Sequence, residues 1–108
     1  MSTEKILLTT TVLATADLIQ LRFVSFAGAV PAAGQRALGI ANAAYAAGEH
    51  AGVNTHGELL VEVGAALLAG SEVESDALGR AVSRSTGVAA GVARDTATAA
   101  GQIVRVLR

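Results

Sequence analysis

The sequence predicts a mainly β protein, a small barrel or sandwich of about eight short strands arranged as two pseudo-repeated halves. Three observations carry that prediction. Twelve glycines break the 108 residues into short runs rich in Val, Ile, Leu and Thr, the rhythm of strands and turns rather than of long helices. Within those runs apolar and polar residues alternate with a period of two, which places them on opposite faces of a strand. Finally, "GIANAAYAAGEHAGV" (Gly39–Val53) is echoed by "GVARDTATAAGQIVRV" (Gly91–Val106), with an offset of 52 at the first glycine and 53 at the second.

Taken in order, "KILLTTTVL" (Lys5–Leu13) is β-branched and threonine-rich, a strand composition. "LIQLRFVSF" (Leu18–Phe26) sets Ile19, Leu21 and Phe23 against Gln20 and Arg22. Pro31 marks a turn before "RALGIA". "GELLVEVG" (Gly57–Gly64) sets Leu59, Val61 and Val63 against Glu58 and Glu62. "SEVES", "DALG" and "RAVSR" read as a hairpin, because Asp76 can bond the backbone two residues on and Gly79 can take a positive φ. "QIVRVLR" puts Val104 and Val106 on one face and Ile103, Arg105 and Leu107 on the other.

The alanine-rich links "NAAYAAG", "GAALLAG" and "RDTATAAG" each end in glycine. They are too short for stable helices and read as loops with an occasional helical turn. Gly39, Gly48, Gly57, Gly70, Asp76, Gly79, Gly91 and Gly101 are the expected backbone-dictating turn positions. The repeat keeps such residues and lets the polar ones drift: Glu49 aligns with Gln102, and Asn42 with Arg94. "FVS" (Phe23–Ser25) before the first copy pairs in this reading with "AVS" (Ala81–Ser83) before the second. A duplicated backbone path is expected, not a duplicated active site.

Composition narrows the function. Hydrophobic residues are 52% of the chain but aromatics only 3%, so the core is built from Val, Leu, Ile and Ala, and alanine buries little area per residue. Subunits sharing apolar surface follow naturally from so thin a core. The net charge is −1 and the arginines are scattered singly, whereas nucleic-acid binding needs a concentrated positive face. No cysteine is present, which removes disulfides and thiolate metal sites. No apolar run reaches the roughly 18 residues of a membrane-spanning helix, and "MSTEKILL" lacks the charged and apolar regions of a signal peptide.

No catalytic constellation emerges. His50 and His56 are six residues apart, on one face if the segment is a strand, yet third and fourth metal ligands are not evident. They read as polar residues flanking a turn before Gly57. Glu72, Glu74 and Asp76 are spaced by two and are expected to point into water or towards a basic partner, too few oxygens for a calcium loop. Ser71, Ser75, Ser83 and Ser85 have no adjacent histidine, and P-loop, G-x-S-x-G and G-x-G-x-x-G patterns are all missing. A biotinyl or lipoyl carrier needs a lysine on a hairpin, and Lys5, the single lysine, lies in the N-terminal strand. No enzyme activity and no cofactor are expected.

The order and spacing of "GIA/GVA" before "AAGE/AAGQ", the central run from Gly57 to Val82, and the C-terminal "IVRVL" resemble the head decoration, or capsid cement, proteins of tailed bacteriophages. The likeness covers the chain from about Leu18 onward. It implies a β-rich, often trimeric protein on the outer surface of the expanded capsid, clamping neighbouring major capsid subunits, with the host cytoplasm as its place during assembly. Its partners are then the major capsid protein and itself, with no nucleic acid and no membrane. Residues 1–17 are an N-terminal arm or the first strand, and residues 18–108 a single barrel domain. In similar proteins an arm reaches the shell, sometimes by strand addition. Here the matching segment is Ser2, Thr3, Glu4, Lys5, Ile6, Leu7, Leu8, Thr9, Thr10 and Thr11. The alternative is a small β-domain that binds a soluble ligand or serves as an accessory module of a bacterial complex. Three aromatics make a poor lining for a ligand pocket.

Overall fold

Eight strands form in the computed structural model, which describes residues 3–108. They are β1 (Lys5–Leu13), β2 (Phe23–Ser25), β3 (Ala37–Ala41), β4 (His50–Glu62), β5 (Glu72–Ser75), β6 (Ala81–Ser83), β7 (Gly91–Ala93) and β8 (Ile103–Leu107). All join one nearly closed, barrel-like sheet in the order β2-β3-β4-β8-β7-β5-β6, with β1 paired to β4 off this path. Every strand pairing is antiparallel. The alternation read from the sequence sets the faces. Leu59, Val61, Val63, Val104 and Val106 are buried, while Ile103 and Leu107 stay exposed on the far side of β8.

The repeat is a duplicated path. β3 pairs with the start of β4 through Ile40 opposite Asn54 and Ala41 opposite Val53. β7 pairs with β8 in the same register, through Val92 opposite Leu107 and Ala93 opposite Val106. Before that, Val12 and Leu13 of β1 face Ala51 and His50, just as Val61 and Glu62 of β4 face Val104 and Ile103. β4 is therefore two strands in one: its first half closes copy one, and its second half opens copy two. Corresponding residues of the two copies fall in two buried clusters, the larger of which also takes in Phe23, Ala37 and Ile40 from copy one. Ala14, Leu18, Val24, Ala41 and Val53 in one cluster match Val63, Leu67, Val73, Ala93 and Val106 in the other. Two thin cores meet across β4, which is how an alanine-rich chain fills a barrel without large aromatics.

The structure revises several local expectations. Strand β2 does not extend back to Leu18, because Leu21 takes a left-handed φ of 63° and turns the chain. Leu18 survives only as an isolated bridge to Tyr45, matched by Leu67 with Ala97 in copy two. The counterpart of β2 is β5, not β6. Phe23 and Val24 face Ile40 and Gly39, as Glu72 and Val73 face Val92 and Gly91; β6 is an addition to copy two.

The alanine-rich links contain no helical residue among those described. Each link instead contributes a bridge residue, since Leu18 and Tyr45 exchange N–H···O bonds of 2.8 and 3.1 Å, which a helical turn would break. Gly48, Gly70, Gly79 and Gly101 do sit in turns with positive φ. Gly39, Gly57 and Gly91 lie within strands, so they are not turn residues. The hairpin forms as read: Asp76 Oδ1 accepts from the N–H groups of Leu78 and Arg80, closing the turn between β5 and β6.

Candidate functional site

β1 is the strand least absorbed by the fold. Its Thr and Val side chains at positions 10 and 12 are half-buried, while Lys5 to Thr9 are exposed throughout. Ile6, Leu7 and Leu8 are 46%, 81% and 52% exposed, and such consecutive apolar exposure is uncommon on a sheet that has nothing to bind. The register explains the outward turn. Ile6 faces Gly57 and Leu8 faces His56, so Leu7 is an extra residue bulged out of the ladder, a device that twists an edge strand and re-aims its side chains. Gly57 permits it, with a φ of 126° and no room for a Cβ, which would overlap the carbonyl oxygen of Lys5. Thr9 Oγ1 donates to Asn54 Oδ1 at 2.9 Å and Thr55 Oγ1 donates to Leu8 O at 3.2 Å, pinning β1 to β4. Its other edge pairs with no named strand, leaving main-chain donors and acceptors open to an added strand.

Two open hollows flank this strand. One, of about 350 Å³, is lined by Lys5, Leu7, Gly57, Glu58, Leu107 and Arg108. The other, of about 410 Å³, is lined by Leu8, Thr10, Phe26, Arg36, Ala37, Leu38, Thr55, His56 and Arg108. Arg108 is common to both. Its Nη2 donates to Ala37 O at 3.2 Å, while Nη1 is buried with no hydrogen-bond partner among the described residues. Burial pulls its pKa down from the usual arginine value.

Of the proposed arm, Thr3 to Thr11 lie along or just before this strand, and Ser2 lies outside the described residues. Glu4 is not free, since its Oε1 accepts from the Leu60 N–H at 2.9 Å. The two histidines sit on the same strand, both exposed. At about 3.3 Å rise per residue they are roughly 20 Å apart, too far to share an ion. They flank no turn, because β4 runs straight through Gly57. Among the described residues no group of three or more His, Cys, Asp or Glu side chains could hold a metal.

The acidic triplet does not share one solvated face. Glu72 is exposed and pairs with Arg84 at 3.5 Å, and Asp76 caps the hairpin. Glu74 is buried and accepts from the Ser85 N–H, the Gly87 N–H and Ser85 Oγ. The Ser85 amide above all holds its pKa below the usual 4.5, with burial opposing. Asp95 is also lowered: hydrogen bonds from the Arg105 guanidinium, then from the Arg105 amide, bring it from 3.8 to about 2.

Both carboxylates are depressed in the folded state, so the stability they contribute is present above their ordinary pKa values. It is lost as pH falls from about 4.5 towards 2. The melting temperature is therefore expected to be flat near neutrality and to drop through that window. Asp95→Asn should remove part of the drop. A melting curve unchanged between pH 5 and about 2 would contradict this assignment.

No curated protein matches the chain. The model of the phage cement protein family matches residues 1–108. With one barrel-like β domain and an apolar strand turned outward, that match has a coherent meaning. The chain belongs to the phage cement protein family, structural proteins of the virion that bind the capsid.

Proposed function

We propose that this protein binds the outer surface of the expanded phage capsid and cements neighbouring major capsid subunits, acting as a trimer. The segment Ser2 to Thr11 is its shell-contacting segment, carried on β1 at the edge of the barrel-like sheet that spans the seam. The observation that carries the proposal is β1: a bulged strand with exposed Ile6, Leu7 and Leu8 and an edge that no other named strand occupies. An extended segment of the shell could pair with that edge through main-chain hydrogen bonds, while pockets for alternate side chains give specificity. Three copies held together would multiply a modest single contact by avidity. A protein that binds only the assembled shell stabilises it by mass action. The exposed apolar residues Ile103 and Leu107 of β8 offer surface for neighbouring copies to cover.

Quantitative mass spectrometry of purified virions tests this directly. A copy ratio to the major capsid protein near one to one is expected, with sedimentation of the free protein reporting the mass of a trimer. A protein absent from the particle would end the cement role. A strictly monomeric chain that still binds at that ratio would end the trimer alone.

A further inference from the structure

The chain uses its cations unevenly. Arg22, Arg80, Arg84, Arg94 and Arg105 each hold a carboxylate within 4.0 Å. Lys5, Arg36 and Arg108 hold none among the described residues, and all three line the hollows beside β1. The acids do not answer them. Glu4, Asp17, Glu49 and Glu74 are engaged by backbone N–H groups. Glu58, the one acid lining either hollow, is taken by Arg94 at 3.5 Å. Among the described residues, a chain of net charge −1 thus sets its unpaired arginine and lysine side chains along the two hollows beside β1.

The larger hollow has a layered chemistry. Arg108 lies at its floor with Nη1 buried and lacking an acceptor. Arg36 stands exposed at its rim, and its side chain makes no hydrogen bond among the described residues. Phe26, 63% exposed, and Leu8, 52% exposed, supply apolar lining to the same hollow. A buried guanidinium N–H without an acceptor costs free energy, because it has given up water and gained nothing. Arg36 is the guanidinium a ligand can reach: exposed and unbonded among the described residues, it can take a carboxylate in the bidentate geometry that guanidinium favours, while the buried Nη1 of Arg108 adds positive charge without touching the ligand. The apolar lining would cover the apolar residues beside that carboxylate.

We propose that this hollow seats an acidic, otherwise apolar segment of the shell protein, its carboxylate held by Arg36 in the field of the buried Arg108 and its apolar neighbours laid on Leu8 and Phe26. The inference rests on the capsid-binding reading of β1 and adds the chemistry of what β1 meets. The occupant is the shell rather than this chain's own acids, because those are already engaged.

The test is co-sedimentation of the purified protein with expanded shells lacking it, at about 0.1 M salt, where the screening length is about 10 Å. Arg36→Glu is expected to weaken binding tenfold or more. Arg36→Ala should weaken it less, Arg36→Lys should stay within about threefold, and Arg84→Glu, whose residue lines neither hollow, should bind as the native protein does. Raising the salt should weaken the native protein and narrow its gap to Arg36→Glu. Arg36 is exposed and unbonded, so its variants should melt with the native protein.

Native protein that binds while Arg36→Glu and Arg36→Ala bind equally well overturns the hollow and leaves the cement role standing. Native protein that does not bind shells takes down the functional reading itself. Loss of self-association in Arg36→Glu, with shell binding per subunit unchanged, would make the occupant another copy of this chain and overturn the proposal.

Discussion

Phe23→Ala lowers the unfolding free energy by about 3–5 kcal/mol, the range for truncating a buried aromatic. Phe23 is 1% exposed and heads the fully buried side chains by volume. Its cluster includes Ala37, Ala81, Ala90, Ala93 and Ala97. The cost of a truncation depends on how far the site can collapse into the void, and the alanines have no rotamer to swing inward. Relief is left to Ile40, Leu59, Leu67 and the valines of the cluster and to backbone shifts, which the neighbouring strands oppose: Phe23 N–H donates to Gly79 O at 2.7 Å, and its strand is locked to β3. The loss therefore belongs within that range. Domains of this kind are stable by only about 5–15 kcal/mol, so the variant should show a large fall in urea midpoint with an unchanged slope. A loss below about 1.5 kcal/mol would show that the alanine-rich core closes around the gap after all.

The two copies also show which parts of the fold were legible in the sequence. Period-two alternation places Leu59, Val61, Val63, Val104 and Val106 inside because one face of each strand is buried. The glycine echo locates β3 with β7, and the turns at Gly48 and Gly101, because a left-handed backbone there demands a residue without a Cβ. The same logic fails at Leu21. It occupies the left-handed position that Gly70 fills in copy two, and both donate their N–H to the alanine that ends β3 or β7, Ala41 or Ala93. A leucine there carries no compositional signal, so the alternation of "LIQLRFVSF" promised a longer strand than forms.

Gly57 misleads in the opposite sense. It signals a turn but permits a bulge, because what it accommodates is the close approach of another strand, and that is a tertiary fact. Glu74 is missed for a related reason: spacing by two puts it beside Glu72 on paper, and only the folded loop brings the Ser85 and Gly87 amides around its carboxylate. The exposed run Ile6–Leu8 lies within the segment that the family resemblance marked. The Arg36–Arg108 hollow does not, since residues 72 apart in the chain meet only once the sheet curls.

Removing residues 2–8 is expected to leave a folded protein that has lost its hold on the capsid. The repeat decides where the cut belongs. Thr9–Leu13 of β1 correspond to Glu58–Glu62 of β4, the stretch that pairs with β8, so Lys5–Leu8 extend past the duplicated unit. A cut after Thr11 would discard half-buried Thr10 and the Thr9–Asn54 bond; a cut after Leu8 keeps both. The folded state then gives up the Glu4 bond to the Leu60 N–H, the Thr55 bond to Leu8 O and the β1–β4 pairing at Lys5, Ile6 and Leu8. At about 0.5–1.5 kcal/mol net per hydrogen bond the loss is a few kcal/mol, which a domain of ordinary stability survives.

Binding is hit harder, because the apolar residues and open edge are lost at every subunit of the proposed trimer. Avidity gains of 10²–10⁴ then collapse together, and capsid affinity should fall on the order of a hundredfold or more. Co-sedimentation with expanded shells, beside a melting curve of the truncated protein, separates the outcomes. A folded truncation that binds as well as the full chain would move the shell contact away from β1. An unfolded one would mean that Lys5–Leu8 hold the barrel together despite their exposure, and that the outward leucines are needed by the fold before they can serve the shell.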